Sequence, residues 1–288
     1  MILADSVNGL QELVKNREGD IGLVPTMGAL HKGHLSLVRE SLSRTTTTIV
    51  SIFVNPTQFN DPADLKKYPR NVEADLERLD NILSDRDIVF VPQAEDLYSY
   101  EKPVNLDLGN LDRVMEGKHR VGHFSGVVRV VKLLFDIADP DMAFFGQKDF
   151  QQLTIIKEMV RRLEMRVEIV GCPIFREPNG LAMSSRNQLL SSEMRAGASI
   201  IYDTLKRYSS ITETEKIGDI ISAVTKTIDS IEGFRTEYFE IVNNRTLESV
   251  TKESIIDNSA IYYGCIAVFA TGVRLIDNVE FTFSFAKG

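Results

Sequence analysis

The chain has 288 residues, 43% hydrophobic and 26% charged, a balance that allows buried cores and excludes a disordered polymer. Its 33 lysines and arginines against 41 aspartates and glutamates leave a formal charge of −8. That excludes a nucleic-acid coat or a polybasic membrane arm, both of which need clustered positive charge.

Met1 to Leu10 has neither the basic start nor the apolar stretch of a signal peptide. The longest apolar window, Ile261 to Val273, is about 13 residues with two glycines, short of the roughly 20 a spanning helix needs. Two cysteines, Cys172 and Cys265, are too few for a disulfide framework or a zinc cage. These features predict a cytoplasmic chain with reduced cysteines and no membrane or nucleic-acid partner.

From Ile21 the chain alternates apolar β-rich runs with amphipathic stretches. Strands are expected at Ile21–Val24, Thr48–Val54, Asp87–Val91, Met142–Phe145 and Val167–Val170. Helices are expected at Leu30–Leu42, Asn71–Leu83, Val127–Ile137 and Lys148–Leu163. This rhythm predicts an α/β fold, a Rossmann-like doubly wound parallel sheet whose ligands sit beyond the carboxyl ends of the strands. After Gly171 a Pro- and Gly-containing loop precedes helices at Ser192–Ser209 and Ile217–Ser230, then strands at Thr236–Val242, Ser259–Ala270 and Val273–Ile276. The expected organisation is a nucleotide-binding domain over residues 1–175 and a smaller α+β domain over 176–288.

The segment Val24-Pro-Thr-Met-Gly-Ala-Leu-His-Lys-Gly-His34 joins the first expected strand to the next helix. It holds two of the four histidines, His31 and His34, three residues apart and therefore on one face of the first helical turn. A helix N-terminus offers free N–H groups and partial positive charge, so a phosphate is favoured there, with two imidazoles beside it. Gly33 lets a ligand approach the backbone closely.

The His31-Lys32-Gly33-His34 signature resembles that of the α/β nucleotidyl-transferring superfamily, which includes class I aminoacyl-tRNA synthetases and small adenylyltransferases. The longer string PTMGALHKGHLSLV, then FVNPTQFN (Phe53–Asn60), FFGQKD (Phe144–Asp149) and LAMSSRN (Leu181–Asn187), is similar to pantothenate synthetases throughout, from Leu13 to Asn278. The resemblance implies an AMP-forming acid–amine ligase. Such an enzyme joins pantoate to β-alanine with ATP and Mg²⁺, through a bound pantoyl-adenylate, releasing pyrophosphate and AMP. It also implies a homodimer, and a second domain that closes over the adenylate.

Residue by residue, the resemblance implies that Met27, Gly28, Ala29, Leu30, His31, Lys32, Gly33 and His34 line the ATP site, His34 acting as principal catalytic histidine and His31 assisting at the phosphates. Gln58 binds pantoate beside the incoming β-alanine, and Gln152 orients pantoate. Gly146, Gln147, Lys148 and Asp149 meet the nucleotide, Lys148 neutralising phosphate and Asp149 accepting from the ribose. Phe175 offers backbone to adenine, and Met183, Ser184, Ser185 and Arg186 close over the phosphates, Arg186 supplying the cation that a lysine supplies elsewhere in the superfamily. Asp75 is a candidate Mg²⁺ contact through water, and Arg120 and His123 stay open between substrate and dimer contacts. Lys32, Gln147 and Phe175 depart from the usual pattern without touching the reaction. The residues alone leave two alternatives, an adenylyltransferase that stops at an adenylated product and an inactive nucleotide-binding protein. A tRNA synthetase is disfavoured by the lack of a basic anticodon-binding domain.

Overall fold

The computed structural model describes residues 1–15, 17–60, 62–102, 104, 106–212, 216–251, 254, 256–257 and 259–284. It divides into two units, Met1–Gln147 with Gln152–Pro173, and Lys148–Gln151 with the chain from Ile174 onward.

In the first unit the β-rich runs become β1 (Ile2–Ala4), β2 (Ile21–Thr26), β3 (Thr47–Ile52), β4 (Ile88–Phe90), β5 (Met142–Gly146) and β6 (Glu168–Cys172). Its helices are α1 (Val7–Lys15), α2 (Lys32–Arg44), α3 (Pro62–Lys67), α4 (Val72–Asp80), α5 (Ala94–Ser99), α6 (Met115–His119), α7 (His123–Ala138) and α8 (Phe150–Arg162). The strands lie in the order β1-β4-β3-β2-β5-β6, every pair parallel. Alternation along the strands puts Val24, Val50, Val89, Phe144 and Val170 on one face, in a cluster with Leu37 and Val38 of α2 and with Leu79 and Leu83. Their chain neighbours Leu23, Ile49, Ile88 and Ala143 are equally buried, so the sheet is covered on both faces.

The order of strands locates the ligand edge. The chain steps outward from β2 to β3 and β4, then returns to β5 and β6 on the other side of β2. That reversal is a topological switch point, where open α/β sheets bind ligands. β2 and β5 pair only at Gly22–Met142 and Leu23–Ala143, although β2 runs on to Thr26 and β5 to Gly146. The two strands therefore part toward their carboxyl ends, and the loops that follow them flank the opening.

The second unit contains α9 (Ser192–Gly197), α10 (Ser199–Arg207), β7 (Ser210–Thr212), α11 (Ile217–Asp229), β8 (Phe234–Asn243), β9 (Tyr262–Ala270) and β10 (Val273–Ser284). The sheet order is β7-β10-β9-β8, antiparallel except for the β10–β7 pair. Ile201 and Leu205 of α10 and Ile220, Val224 and Ile228 of α11 pack with Phe239, Ile266, Val268, Leu275 and Phe281 of the sheet. The fold is thus a Rossmann-like parallel sheet with helices, plus a smaller unit built on a second sheet.

Several expected elements differ in extent. The helix expected over Ser192–Ser209 is two helices broken at Ala198, just after the poor helix former Gly197. The helix expected from Lys148 begins at Phe150, after a 3-10 turn over Gln147–Asp149. The one expected from Val127 begins at His123. The strand expected to end at Ile276 continues to Ser284 through the polar pair Asp277-Asn278. Among the described residues no helix is long and apolar enough to cross a membrane.

Candidate active site

The loop between β2 and α2 holds consecutive left-handed residues, Gly28 at φ +78° and Ala29 at φ +49°. For an alanine this conformation costs roughly 1–2 kcal/mol, so something must hold it. That something is Asp75 on α4, only 1% exposed. Its Oδ2 accepts from the Ala29 N–H at 2.8 Å and its Oδ1 from the Leu30 N–H at 2.7 Å. Hydrogen bonds to a charged acceptor contribute about 1.5–3 kcal/mol each, enough to outweigh the strain. A Cβ on Gly28 would stand 3.0 Å from Asp75 Oδ2 and 3.2 Å from Ile52, so the loop needs glycine there. Thr26 finishes the turn, its hydroxyl donating to Ser51 O at 2.7 Å and accepting from the Gly28 N–H at 3.2 Å.

Both carboxylate oxygens of Asp75, the residue expected to meet Mg²⁺ through water, anchor the loop. Among the described residues no group of three or more His, Cys, Asp or Glu is placed to hold a metal ion. The donor set does not form a protein cage for Mg²⁺, an ion that commonly keeps waters and leans on substrate phosphates.

The two histidines stand together at the start of α2. Their rings stack with centroids 4.0 Å apart and planes 22° from parallel. The His31 backbone N–H donates to His34 Nδ1 at 3.3 Å. Since that nitrogen accepts, a neutral His34 carries its proton on Nε2, as a donor on the far side of the ring. The first turn of α2 itself contains no acidic residue, the Asp75 carboxylate being bound to the amides just before it. Lys32 is exposed, while Gly33 is half-buried beside the rings.

Gln58 sits on a 3-10 turn (Pro56–Gln58) after β3 and is 7% exposed. Its Nε2 lies 3.1 Å from Met27 Sδ, which joins this turn to the loop after β2. Its Oε1 accepts from Asn55 Nδ2 at 3.1 Å. Asn55 lies inside the FVNPTQFN motif without a role expected of it there, and the structure makes it the centre of this turn. It also donates to Gly126 O at 3.0 Å and accepts from Tyr98 OH at 2.6 Å and from the Thr57 N–H and hydroxyl at 3.0 and 2.8 Å. Its position between the apolar Ile52-Phe53-Val54 and Pro56 was the available signal.

Arg120 and His123, left open by the sequence, act on the same turn. His123 Nδ1 lies 2.8 Å from Gln58 O, a carbonyl that can only accept, so Nδ1–H donates. Arg120 Nη1 then donates to His123 Nε2 at 3.2 Å. A Cβ on Gly126 would come within 2.4 Å of Thr57 O, so α7 meets the turn backbone to backbone only because glycine stands there. Gly146 ends β5 with open space above its Cα, Gln147 follows it half-buried, and Gln152 is half-buried in the first turn of α8.

In the second unit, Lys148 is half-buried and Asp149 exposed. This segment rests on the second sheet: Asn278 Nδ2 donates to Lys148 O at 3.1 Å, and the Phe150 ring lies 4.4 Å from that of Tyr263. Phe175 and Met183 are brought together, the Met183 N–H donating to Phe175 O at 3.0 Å beside a bridge between Arg176 and Ala182. Ser184 caps the following 3-10 turn (Ser185–Leu189), accepting from the Arg186 N–H at 3.3 Å. Ser185 is buried and Arg186 half-buried. Asn187, 2% exposed, ties that turn to the hairpin by donating to Glu177 Oε1 at 2.8 Å and Ala182 O at 3.1 Å.

The profile of the family described as pantoate-beta-alanine ligase matches residues 3–280. Relatives named pantothenate synthetase from Bacteroides thetaiotaomicron and Flavobacterium psychrophilum are 48% and 46% identical over 261 residues each, covering 91% and 90% of this chain and 91% of each relative. Among solved structures, a pantothenate synthetase from Thermus thermophilus superposes with TM-score 0.86 at 37% identity, covering 97% of this chain and 99% of that one. A pantoate-beta-alanine ligase from Francisella tularensis, complexed with beta-gamma ATP and beta-alanine, gives TM-score 0.78 at 33% identity over 97% of each chain. At these identities and coverages, the chain belongs to the pantoate–β-alanine ligase family.

Proposed function

We propose that this chain condenses pantoate with β-alanine at the expense of ATP. The observation that carries the reading is the His31–His34 pair at the N-terminus of α2, on a loop set by Asp75 at the switch point of the sheet. A carboxylate is a poor electrophile, so it must first gain a leaving group. A pantoate carboxylate oxygen attacks the α-phosphorus of ATP, a P–O bond forms, the bond to the bridging oxygen breaks, and pyrophosphate departs with that electron pair. The amine of β-alanine then attacks the acyl carbon of the pantoyl-adenylate, loses a proton, and AMP leaves with the C–O pair.

Negative charge gathers on phosphate oxygens in the first step. The Nε2–H of His34, His31 and the N-terminal amides of α2 are suited to that charge, and losing one such donor costs about 10²–10³ in rate. Lys148, Ser184, Ser185 and Arg186 serve as further phosphate partners, with Asp149 at the ribose and Phe175 beside adenine. Gln58 orients pantoate, since its amide keeps a second N–H and a second lone pair beyond its Met27 and Asn55 contacts. Gln152 is the second pantoate partner. ATP enters as its Mg²⁺ complex, the ion held by phosphate and water. The family resemblance supports a homodimer working in the cytoplasm, which light scattering and fractionation test.

The test is exchange of labelled pyrophosphate into ATP. Exchange that requires pantoate, followed by AMP release on adding β-alanine, is the expected result. Exchange indifferent to pantoate indicates an adenylyltransferase of another substrate, and no exchange indicates a nucleotide-binding protein without this chemistry. His34→Ala is expected to lower exchange by at least about 10²-fold in a protein that still melts cooperatively, its melting temperature lowered only by the lost capping bond.

A further inference from the structure

The strand β10 buries a charged and a polar residue side by side near its middle, Asp277 and Asn278, 4% and 3% exposed. Asp277 takes both ends of the Arg176 guanidinium, Nη1 to Oδ2 at 2.6 Å and Nη2 to Oδ1 at 2.9 Å. Arg176 also donates to Gly180 O at 3.0 Å and lies over the Tyr202 ring at 3.7 Å. It therefore clamps to β10 the hairpin that carries Phe175 at one end and Met183 at the other. One residue further along, Asn278 Nδ2 donates to Lys148 O at 3.1 Å. Burial pushes the Asp277 carboxyl up from its ordinary value, opposed by Arg176, by the Asn278 N–H and by the charge of Lys148.

Adjacent positions of one strand thus fix two segments far apart in sequence, the lysine turn at 148 and the hairpin from 175 to 183. We propose that Asn278 is a positioning residue of the ligase, fixing the Lys148 backbone to the same strand to which its neighbour Asp277 holds the hairpin through Arg176. This deepens the function proposed above and rests on it. Asn278 acts through Lys148, whose ammonium has to meet charge that grows at the phosphates in the adenylation step. Displacing that turn weakens the transition state more than ground-state binding of pantoate.

The two possible roles, hydrogen bond or shape, separate in a pair of variants. Asn278→Ala removes the donor and leaves a small space. Asn278→Asp keeps the shape but turns an oxygen toward the Lys148 carbonyl, so that two acceptors face each other. A positioning role predicts a fall of about 10-fold in kcat for pantoate-dependent exchange in Asn278→Ala, a larger fall in Asn278→Asp, and a pantoate KM within about 2-fold of wild type in both. Asn278→Asp performing better than Asn278→Ala would mean that the residue only fills space, and overturns the proposal. So does activity within about 2-fold of wild type in both variants. Wild-type protein without pantoate-dependent exchange would instead defeat the functional reading itself, so the two failures are told apart. Melting curves on both variants separate unfolding from loss of rate, and a folded Asn278→Asp suffices for the decision.

Discussion

Asp75 sets the geometry of the loop that carries the histidines. It holds Ala29 in the left-handed region with two N–H bonds across 46 and 45 residues of chain. Asp75→Asn retains one acceptor and turns an NH₂ group toward the other loop amide. Leaving a buried donor unmatched costs about 1–3 kcal/mol, and a displacement of about 1 Å at the chemistry can cost 10²-fold in rate. The expected outcome is a lower melting temperature together with a fall of 10-fold or more in kcat/KM for ATP, read in the exchange assay. Unchanged exchange alongside a lowered melting point would confine Asp75 to stability. The histidine pair was legible in the sequence because both members sit three residues apart at a strand–helix junction. The use of Asp75 was not legible, because its partners are remote in sequence and its spacing carries no periodic signal.

At the scale of elements, legibility followed burial. β2 to β6 were expected within a few residues of where they lie, because strands buried on both faces read as continuous Val, Ile and Phe runs. β1 and β7 have three residues each and are only partly buried, unlike the equally short but fully buried β4, so no apolar run marks them. The continuation of β10 was hidden by Asp277-Asn278, a pair that reads as a turn until Arg176 and Lys148 supply its hydrogen bonds. Likewise α7 was expected to start four residues late, since His123 and Gly126 look like loop residues until they are seen to meet the Gln58 turn. Within α8, Glu158 is bound by Arg161 and Arg162, three and four residues on. The hydrogen bond from Arg161, helped by Arg162, pulls the Glu158 carboxyl down from its ordinary value to about 2. A depressed carboxylate contributes its stability above its unfolded value and loses it as pH falls toward the folded one. The melting temperature of wild type should therefore exceed that of Glu158→Gln at pH 6, and the gap should close between about pH 4.5 and pH 2. Arg161 is largely exposed, so the gap is small and shrinks with salt. A gap that persists at pH 2 would assign the effect of the substitution to packing instead.

Among the described residues each of the two units has a hydrophobic cluster of its own. One gathers Val24, Val50, Val89, Phe144 and Val170 against α2 and α4, and the other gathers Ile201, Leu205, Val224, Phe239, Ile266 and Val268. Each is a core in its own right, and proteins with two cores commonly depart from all-or-none unfolding. Calorimetry is expected to show a total enthalpy larger than the van't Hoff enthalpy taken from the shape of the transition. Equal values would mean that the units melt as one cooperative body. The proposed nucleotide residues come from both units, Met27–His34 from one and Lys148, Asp149, Phe175 and Met183–Arg186 from the other. A ligand stabilises only what it binds in the folded form, by about 2.7 kcal/mol at 100 times its Kd, or roughly 5–10 °C for units of this size. Saturating ATP with Mg²⁺ should therefore raise both components of the melting curve. If only the component belonging to one unit rises, the residues assigned in the other unit do not bind the nucleotide, and the division of labour proposed for Lys148 and Arg186 fails with them.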